Sequence, residues 1–308
     1  MSELQRHSAH LPVSGEFSLR AASAFAFGPT EGSAPPASDR LRLAFPVDGG
    51  RGYAGAVLRQ EAAPHGPVSV DLTLRDGAEA KVAIAQVARI VSLDHDGAGF
   101  LEVGEADPVL GELQRAHPGQ RPVLFCSPYE AAAWAIISAR RPVARSSDIR
   151  DELSVQFGDT FELEGETLHA FPQPEHLLAL GDRFDGLNLE KLTRLRGVAA
   201  AAFDGDLDAR MLHALGPERA FAELQLLNGI GPFYAGLIVL RATGFADALL
   251  PMAEPKLLAH AAGYYGRAEE PTLEWLAQLA ERWRPFRTWA MVLIRVAGAR
   301  GTTAGSRR

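Results

Sequence analysis

In the stretch "LLNGIGPFYAGLIVLRATG", residues 226–244, Gly229 and Gly231 stand one residue apart between an apolar helical run and a second helix opened by Pro232. Glycine tolerates positive φ and offers backbone without a side chain, so such a turn can press its amide groups against an outside surface. The N-terminus of the following helix adds a partial positive field, and together these features make a site for phosphate. The same residues also suit a plain αα-hairpin whose first helix simply ends on a glycine. Side-chain metal chemistry has little to work with. The nine histidines show no HxH or HExxH spacing, and the single Cys126 excludes a zinc cluster, a four-cysteine iron–sulfur cluster and an internal disulfide.

These groups need a scaffold. With 308 residues, 47% hydrophobic, and no apolar run long enough for a bilayer, the chain reads as a soluble globular protein of two domains. Met1 to Ser14 has no apolar core of a signal peptide, so a cytoplasmic location, nucleoid-associated in a bacterium, is expected, without membrane contact. A net charge of -7 argues against a coat for indiscriminate nucleic-acid binding, although one basic face is enough for phosphate contacts.

Residues 1–106 favour strands and turns. Leu41 to Phe45, Val68 to Leu74 and Phe100 to Val103 alternate apolar and polar residues, Lys81 to Leu93 fits a helix or an apolar strand, and Gly28 to Ser38 reads as a loop. A small α+β N-terminal domain is expected there. From Asp107 the signals are helical. Asp107-Pro108 and Ser127-Pro128 place a cap before a proline, and Glu130 completes a capping box with Ser127. Further helices are expected over Pro174 to Leu180, Leu189 to Leu195, Pro217 to Leu227, Pro232 to Thr243, Pro255 to Tyr264, Leu273 to Arg284 and Thr288 to Val296. The all-α domain spans 107–300, and residues 301–308 form a tail with nothing to pack against.

"LNGIGPFYAGLIVLRATGFADALLP" resembles the helix-hairpin-helix segment of the DNA glycosylase superfamily, and "AERWRPFRTWAMVLIRVAG" resembles the C-terminal helix of its DNA-3-methyladenine glycosylase II branch. "SPYEAAAWAIISARRPVA", "FPQPEHLLAL" and "LNLEKLTRLRGVAAAAFDGDL" follow that family's order, so the resemblance covers about residues 107–300. It implies a half TATA-binding-protein-like N-terminal domain. It also implies base-excision repair of alkylation damage: the duplex is bent, a damaged nucleotide is flipped out and its N-glycosidic bond is hydrolysed. The transition state is oxocarbenium-like and asks for one ionised carboxylate.

By that resemblance the catalytic position falls on Glu254, one methylene longer than the family's aspartate; Pro255 makes it a helix cap. Asp247 is the nearby alternative and matches a structural acidic position, while Asp185, Asp204 and Asp206 solvate turns. Phe233 stands where lyase-type relatives carry a Schiff-base lysine, which implies a monofunctional hydrolase. Leu237 and Arg295 occupy base-stacking positions, with Trp134, Tyr234 or Trp289 as further aromatic candidates against a core role. Arg295 puts a cationic alkylated base in question. Gly229, Ile230 and Gly231 would meet the DNA backbone. Arg140 would be the wedge, and Arg141, Arg145 and Arg150 a basic rim. Backbone carbonyls of Gln225, Leu227 and Ile230 would hold a monovalent cation, Na+ or K+, with no other cofactor required. The partner is double-stranded DNA with a damaged base, bound by a monomer. Two other readings stay open: a non-catalytic protein that binds or bends damaged DNA, and a helical protein whose hairpin meets another protein. A Glu254 facing a concave pocket beside Phe233 favours the enzyme; a Glu254 in a surface salt bridge favours the binder.

Overall fold

A computed structural model describes residues 4–25, 38–49, 52–252 and 254–305. Strands β1 (Gln5–Leu11), β2 (Arg40–Pro46), β3 (Tyr53–Gln60) and β4 (Val68–Arg75) form one antiparallel sheet in the order β1-β4-β3-β2. Its hydrophobic pattern follows the pleat: Val68, Val70, Leu72 and Leu74 are buried, and the residues between them are not. The helix α1 (Leu19–Phe25) precedes β2, and the expected loop at Gly28 to Ser38 lies, except for Ser38, outside the described residues.

Strand β3 is buried on both faces because a second hairpin covers it. That hairpin, β5 (Thr160–Leu163) and β6 (Glu166–His169), turns through Glu164 and Gly165, both at positive φ, as a two-residue hairpin requires. Phe161 lies against Gly55, and with Leu163 and Ala170 it packs on Ala44, Tyr53 and Val57. The glycine supplies the clearance that the phenyl ring occupies.

The open region Lys81 to Leu93 is largely helical, as α2 (Ala80–Ile90). Phe100 to Val103, expected as a strand, lies in α3 (Ala98–Ala106). Phe100 and Val103 are three apart and both buried, which is the helical period. The predicted caps form. Asp107 accepts the amides of Val109 and Leu110 at 3.1 and 3.2 Å at the start of α4 (Pro108–Ala116), and Ser127 accepts that of Glu130 at 3.1 Å at the start of α5 (Pro128–Ser138). The second half of the expected capping box is lost, because the Glu130 carboxylate turns to Arg150 on α6 (Val143–Phe157).

The remaining helices are α7 (Pro174–Leu178), α8 (Leu189–Phe203), α9 (Ala209–Leu215), α10 (Pro217–Leu224), α11 (Pro232–Ala242), α12 (Pro255–Tyr264), α13 (Leu273–Ala280) and α14 (Arg287–Gly305). The last continues through the stretch expected as a tail; residues 306–308 lie outside the described part. Fully buried Ala131, Ala132, Ala133 and Ala135 let α8 and α11 pack closely on α5. Val292 and Val296 of α14 pack into the core of the sheet. Trp289 is core, lying between Phe100, Phe286 and the buried Arg121 guanidinium 5.0 Å from its ring. No helix among the described residues is long and apolar enough to cross a membrane.

Candidate active site

The turn between α10 and α11 is closed by the Leu227 amide donating to Leu224 O at 3.3 Å and the Ile230 amide to Leu227 O at 3.0 Å. Of the positive φ that glycine would allow at both positions, only Gly229, at φ 95°, makes use; Gly231 is extended. A Cβ on Gly229 would lie 2.8 Å from the Arg194 side chain and 2.9 Å from Ile136, whereas nothing stands within 4 Å of one on Gly231. Gly229 thus faces the protein and Gly231 faces outward. The Ile230 side chain is buried, so only its backbone is left for an outside partner.

Beside the hairpin a cleft of about 820 Å³ runs from α5 across α11 to α12, α13 and α14. It brings together Trp134 from α5, Phe233, Tyr234 and Leu237 on α11, and Arg295 from α14, whereas Trp289, the other aromatic candidate, is buried in the core and does not line it. Phe233 is 46% exposed, too open for a core side chain, and meets Tyr234 edge to face at 5.4 Å. Tyr234 in turn stands 3.3 Å from the Ser138 hydroxyl. The far wall, Leu273, Glu274, Leu276 and Ala277 of α13 with Met291 and Val292 of α14, escaped the sequence reading. Their helical spacing marks a face but not which cavity the face closes.

Glu254 lines the same cleft and caps α12, with extended backbone before Pro255. Its Oε2 accepts the amide of Leu257 and, at 3.1 Å, Nε of Arg295. The two side chains are 27% and 20% exposed, so the carboxylate both faces the cleft and is ion-paired, where the sequence had posed these as alternatives. Asp247 is used elsewhere. It accepts Arg287 Nε at 2.7 Å, the Arg287 amide at 3.2 Å and Arg284 Nη1 at 3.1 Å, which fixes the start of α14.

No protein-family model matches the chain. A DNA-3-methyladenine glycosylase of Bacillus subtilis (strain 168) is 24% identical over 201 residues, which span 64% of this chain and 66% of that relative. DNA-3-methyladenine glycosylase 2 of Escherichia coli (strain K12) is 27% identical over 188 residues, 60% of this chain and 63% of that protein. A 3-methyladenine DNA glycosylase structure from Archaeoglobus fulgidus superposes with a TM-score of 0.69 at 18% identity, covering 94% of this chain and 98% of the other. In sequence the chain is similar to DNA-3-methyladenine glycosylases, of which it spans less than two thirds of the length, and it shares the fold of a solved 3-methyladenine DNA glycosylase.

The basic residues around the cleft sort unevenly. Arg140 is exposed in the turn between α5 and α6 at φ 55°, next to the cleft-lining Ser138 and Arg141. Arg141 donates to Gly186 O at 2.6 Å. The expected rim ends there. Arg145 is shared among Asp148, Glu152 and Asp185 at 3.9, 3.7 and 3.2 Å, and Arg150 turns inward to the buried Glu130. Arg150 is a core partner because Glu130, one turn into α5, has no water to solvate it. Lys191 donates to Ile137 O and Ala139 O at 2.8 and 2.9 Å, satisfying carbonyls at the end of α5. Burial lowers its ammonium below the usual lysine range, with Arg141 and Arg194 adding to the effect. Among the described residues no group of three or more His, Cys, Asp or Glu is placed to hold a metal ion.

Proposed function

We propose that this chain is a monofunctional DNA glycosylase of base-excision repair that hydrolyses the N-glycosidic bond of a flipped, damaged base. The observation that carries the reading is the Glu254 carboxylate, held at a helix N-terminus inside the cleft that Phe233, Leu237 and Trp134 share. The anomeric carbon and the departing base are out of reach within a stacked duplex, so the nucleotide must leave the stack before any group here can act. Phe233 and Trp134 offer faces for the extruded base. As the C–N bond breaks, positive charge grows on the sugar beside a fixed anion, which lowers the transition state more than the ground state. Water adds its oxygen to the anomeric carbon and keeps one proton there as the hydroxyl, while its other proton passes to a base that leaves as an anion, or to solvent when the base leaves neutral, so base and abasic site are the products.

No lysine lines the cleft among the described residues, and by the family resemblance Phe233 stands at the position where lyase-type relatives carry their Schiff-base amine. This supports hydrolysis without strand cleavage. Gly231 and the backbone of Ile230 would approach a phosphate, and Arg140 would fill the gap left by the flipped nucleotide. A monovalent cation at the carbonyls of Gln225, Leu227 and Ile230 belongs to the same reading. The Leu227 carbonyl already accepts one amide and retains one lone pair for such an ion. A monomer, a cytoplasmic site of action and a half TATA-binding-protein-like N-terminal domain complete the proposal.

Single-turnover release of bases from methylated duplex DNA tests it, with wild type and Glu254→Gln compared at equal DNA occupancy. Wild type is expected to release base, and the variant to lose release while keeping its affinity for DNA. Equal release by both proteins would remove Glu254 from the chemistry; no release by either, with DNA bound, would leave a lesion-binding protein.

A further inference from the structure

The two donors to Glu254 converge on one oxygen. Oε2 receives the Leu257 amide from its own helix and Arg295 Nε from α14, while no described residue donates to Oε1. A carboxylate held at a single oxygen by a backbone group and a planar guanidinium has little freedom to rotate, because both donors are themselves fixed in helices. Oε1 is then the oxygen available to the cleft. The longer side chain of a glutamate, with one more rotatable bond than an aspartate, makes such a restraint more necessary.

The same contact changes what the carboxylate offers a bound base. A bare anion would attract a cationic base before any bond breaks. Here the guanidinium offsets that charge, and the cleft as a whole is lined by three arginines, Arg141, Arg241 and Arg295, against Glu254 and Glu274. We propose that Arg295 positions Glu254 and, through the charge of the ion pair, restricts the cleft to uncharged damaged bases. The inference rests on the glycosylase reading above and narrows its substrate class. An uncharged base meets apolar walls on α11 and α13 and is indifferent to the charge of the lining, whereas a base with a formal positive charge loses the attraction of a bare carboxylate and meets a lining with more arginines than glutamates. Positive charge that develops later, on the sugar, still meets Oε1.

Two substitutions separate geometry from charge. Arg295→Met keeps the apolar stem and removes both donor and charge; Arg295→Lys keeps the charge and loses the planar donor. Single-turnover release is measured on duplexes carrying one ethenoadenine, which is uncharged, or one 7-methylguanine, which is cationic. Release by each variant is referred to wild type on the same duplex, so that the different lability of the two bonds cancels. Arg295→Met is expected to slow ethenoadenine release roughly a hundredfold, the scale of a misplaced catalytic group. It should also shift the ratio of the two rates toward 7-methylguanine by at least about tenfold. Arg295→Lys is expected to be slow on both duplexes and to keep the wild-type ratio. An unchanged ratio in Arg295→Met, or the same shift in Arg295→Lys, would overturn the inference while leaving the glycosylase intact. Wild type that binds both duplexes and releases neither base would overturn the glycosylase reading and this inference with it.

Discussion

Gly229 carries a φ of 95° and sits with its Cα hydrogen against Arg194 and Ile136, whereas Gly231 is extended and open on its outer side. The two therefore separate folding from binding. Gly229→Ala has to adopt a left-handed conformation and displace a packed isoleucine, and a loss of about 1–3 kcal/mol in urea unfolding is expected. Gly231→Ala meets no atom of the protein and should unfold within about 0.5 kcal/mol of wild type. Its methyl group would stand where a phosphate approaches, so DNA affinity should fall and the salt dependence of binding become shallower. Wild-type affinity and salt slope in Gly231→Ala would mean that the hairpin does not touch DNA. From the sequence these glycines looked equivalent, because only the third dimension shows which one has a neighbour. Glu254 was legible as a helix cap, because a residue before a helix-opening proline has a local meaning, while its candidacy for chemistry came from the family resemblance alone. Its partner Arg295 lies 41 residues away, and no local rule joins them.

Among the elements, those with a stop or start signal were readable and those defined by partners were not. Prolines at the first helical position marked α4, α5, α7, α10, α11 and α12. Helix α6 opens directly after Pro142 with no side-chain cap and carries a mixed face, so it went unread. The β5–β6 hairpin is short, and its apolar residues acquire meaning only from the sheet they cover. Beside the apolar packing of Ile149 and Leu153 in the core it shares with α5, α6 is tied to α5 by the pair of Arg150 and Glu130, the latter with its side chain only 4% exposed. Removing one partner of a buried pair leaves the other charge unsolvated. Arg150→Met is expected to lose about 3–5 kcal/mol in urea unfolding, and Arg150→Met with Glu130→Leu to regain most of it. If the double variant is no more stable than the single one, the cost lies in lost packing of the arginine stem over Phe171 rather than in the stranded carboxylate.

At the scale of the whole molecule, polar contacts tie the sheet to the elements that follow it. Glu164, in the β5–β6 turn, meets Arg42 at 3.0 Å and Arg40 at 3.5 Å on β2, and Arg59 on β3. Arg59 also pairs with Asp71 on β4, which accepts the Ser8 hydroxyl of β1 at 2.6 Å. One chain of charge thus crosses all four strands and the hairpin. Hydrogen bonding from Arg59, reinforced by its charge and by Arg40 and Arg42, holds the Glu164 carboxyl below its usual 4.5. Hydrogen bonds from Ser8 and then Arg59 hold that of Asp71 below its usual 3.8. A carboxyl with a lower pKa folded than unfolded binds fewer protons in the folded state. Its stabilising contribution is therefore complete above the unfolded value and is lost as the pH falls through the folded one. The urea midpoint should accordingly hold between pH 6 and about 5 and decline as the pH falls from there toward about 3, past the unfolded values of these two carboxyls. Glu164→Gln combined with Asp71→Asn should start lower at pH 6 and decline less steeply, because those two protons are no longer linked to folding. A decline as steep as in wild type would assign the acid sensitivity to other carboxylates and leave the docking of the hairpin on the sheet to Phe161 and its apolar neighbours alone.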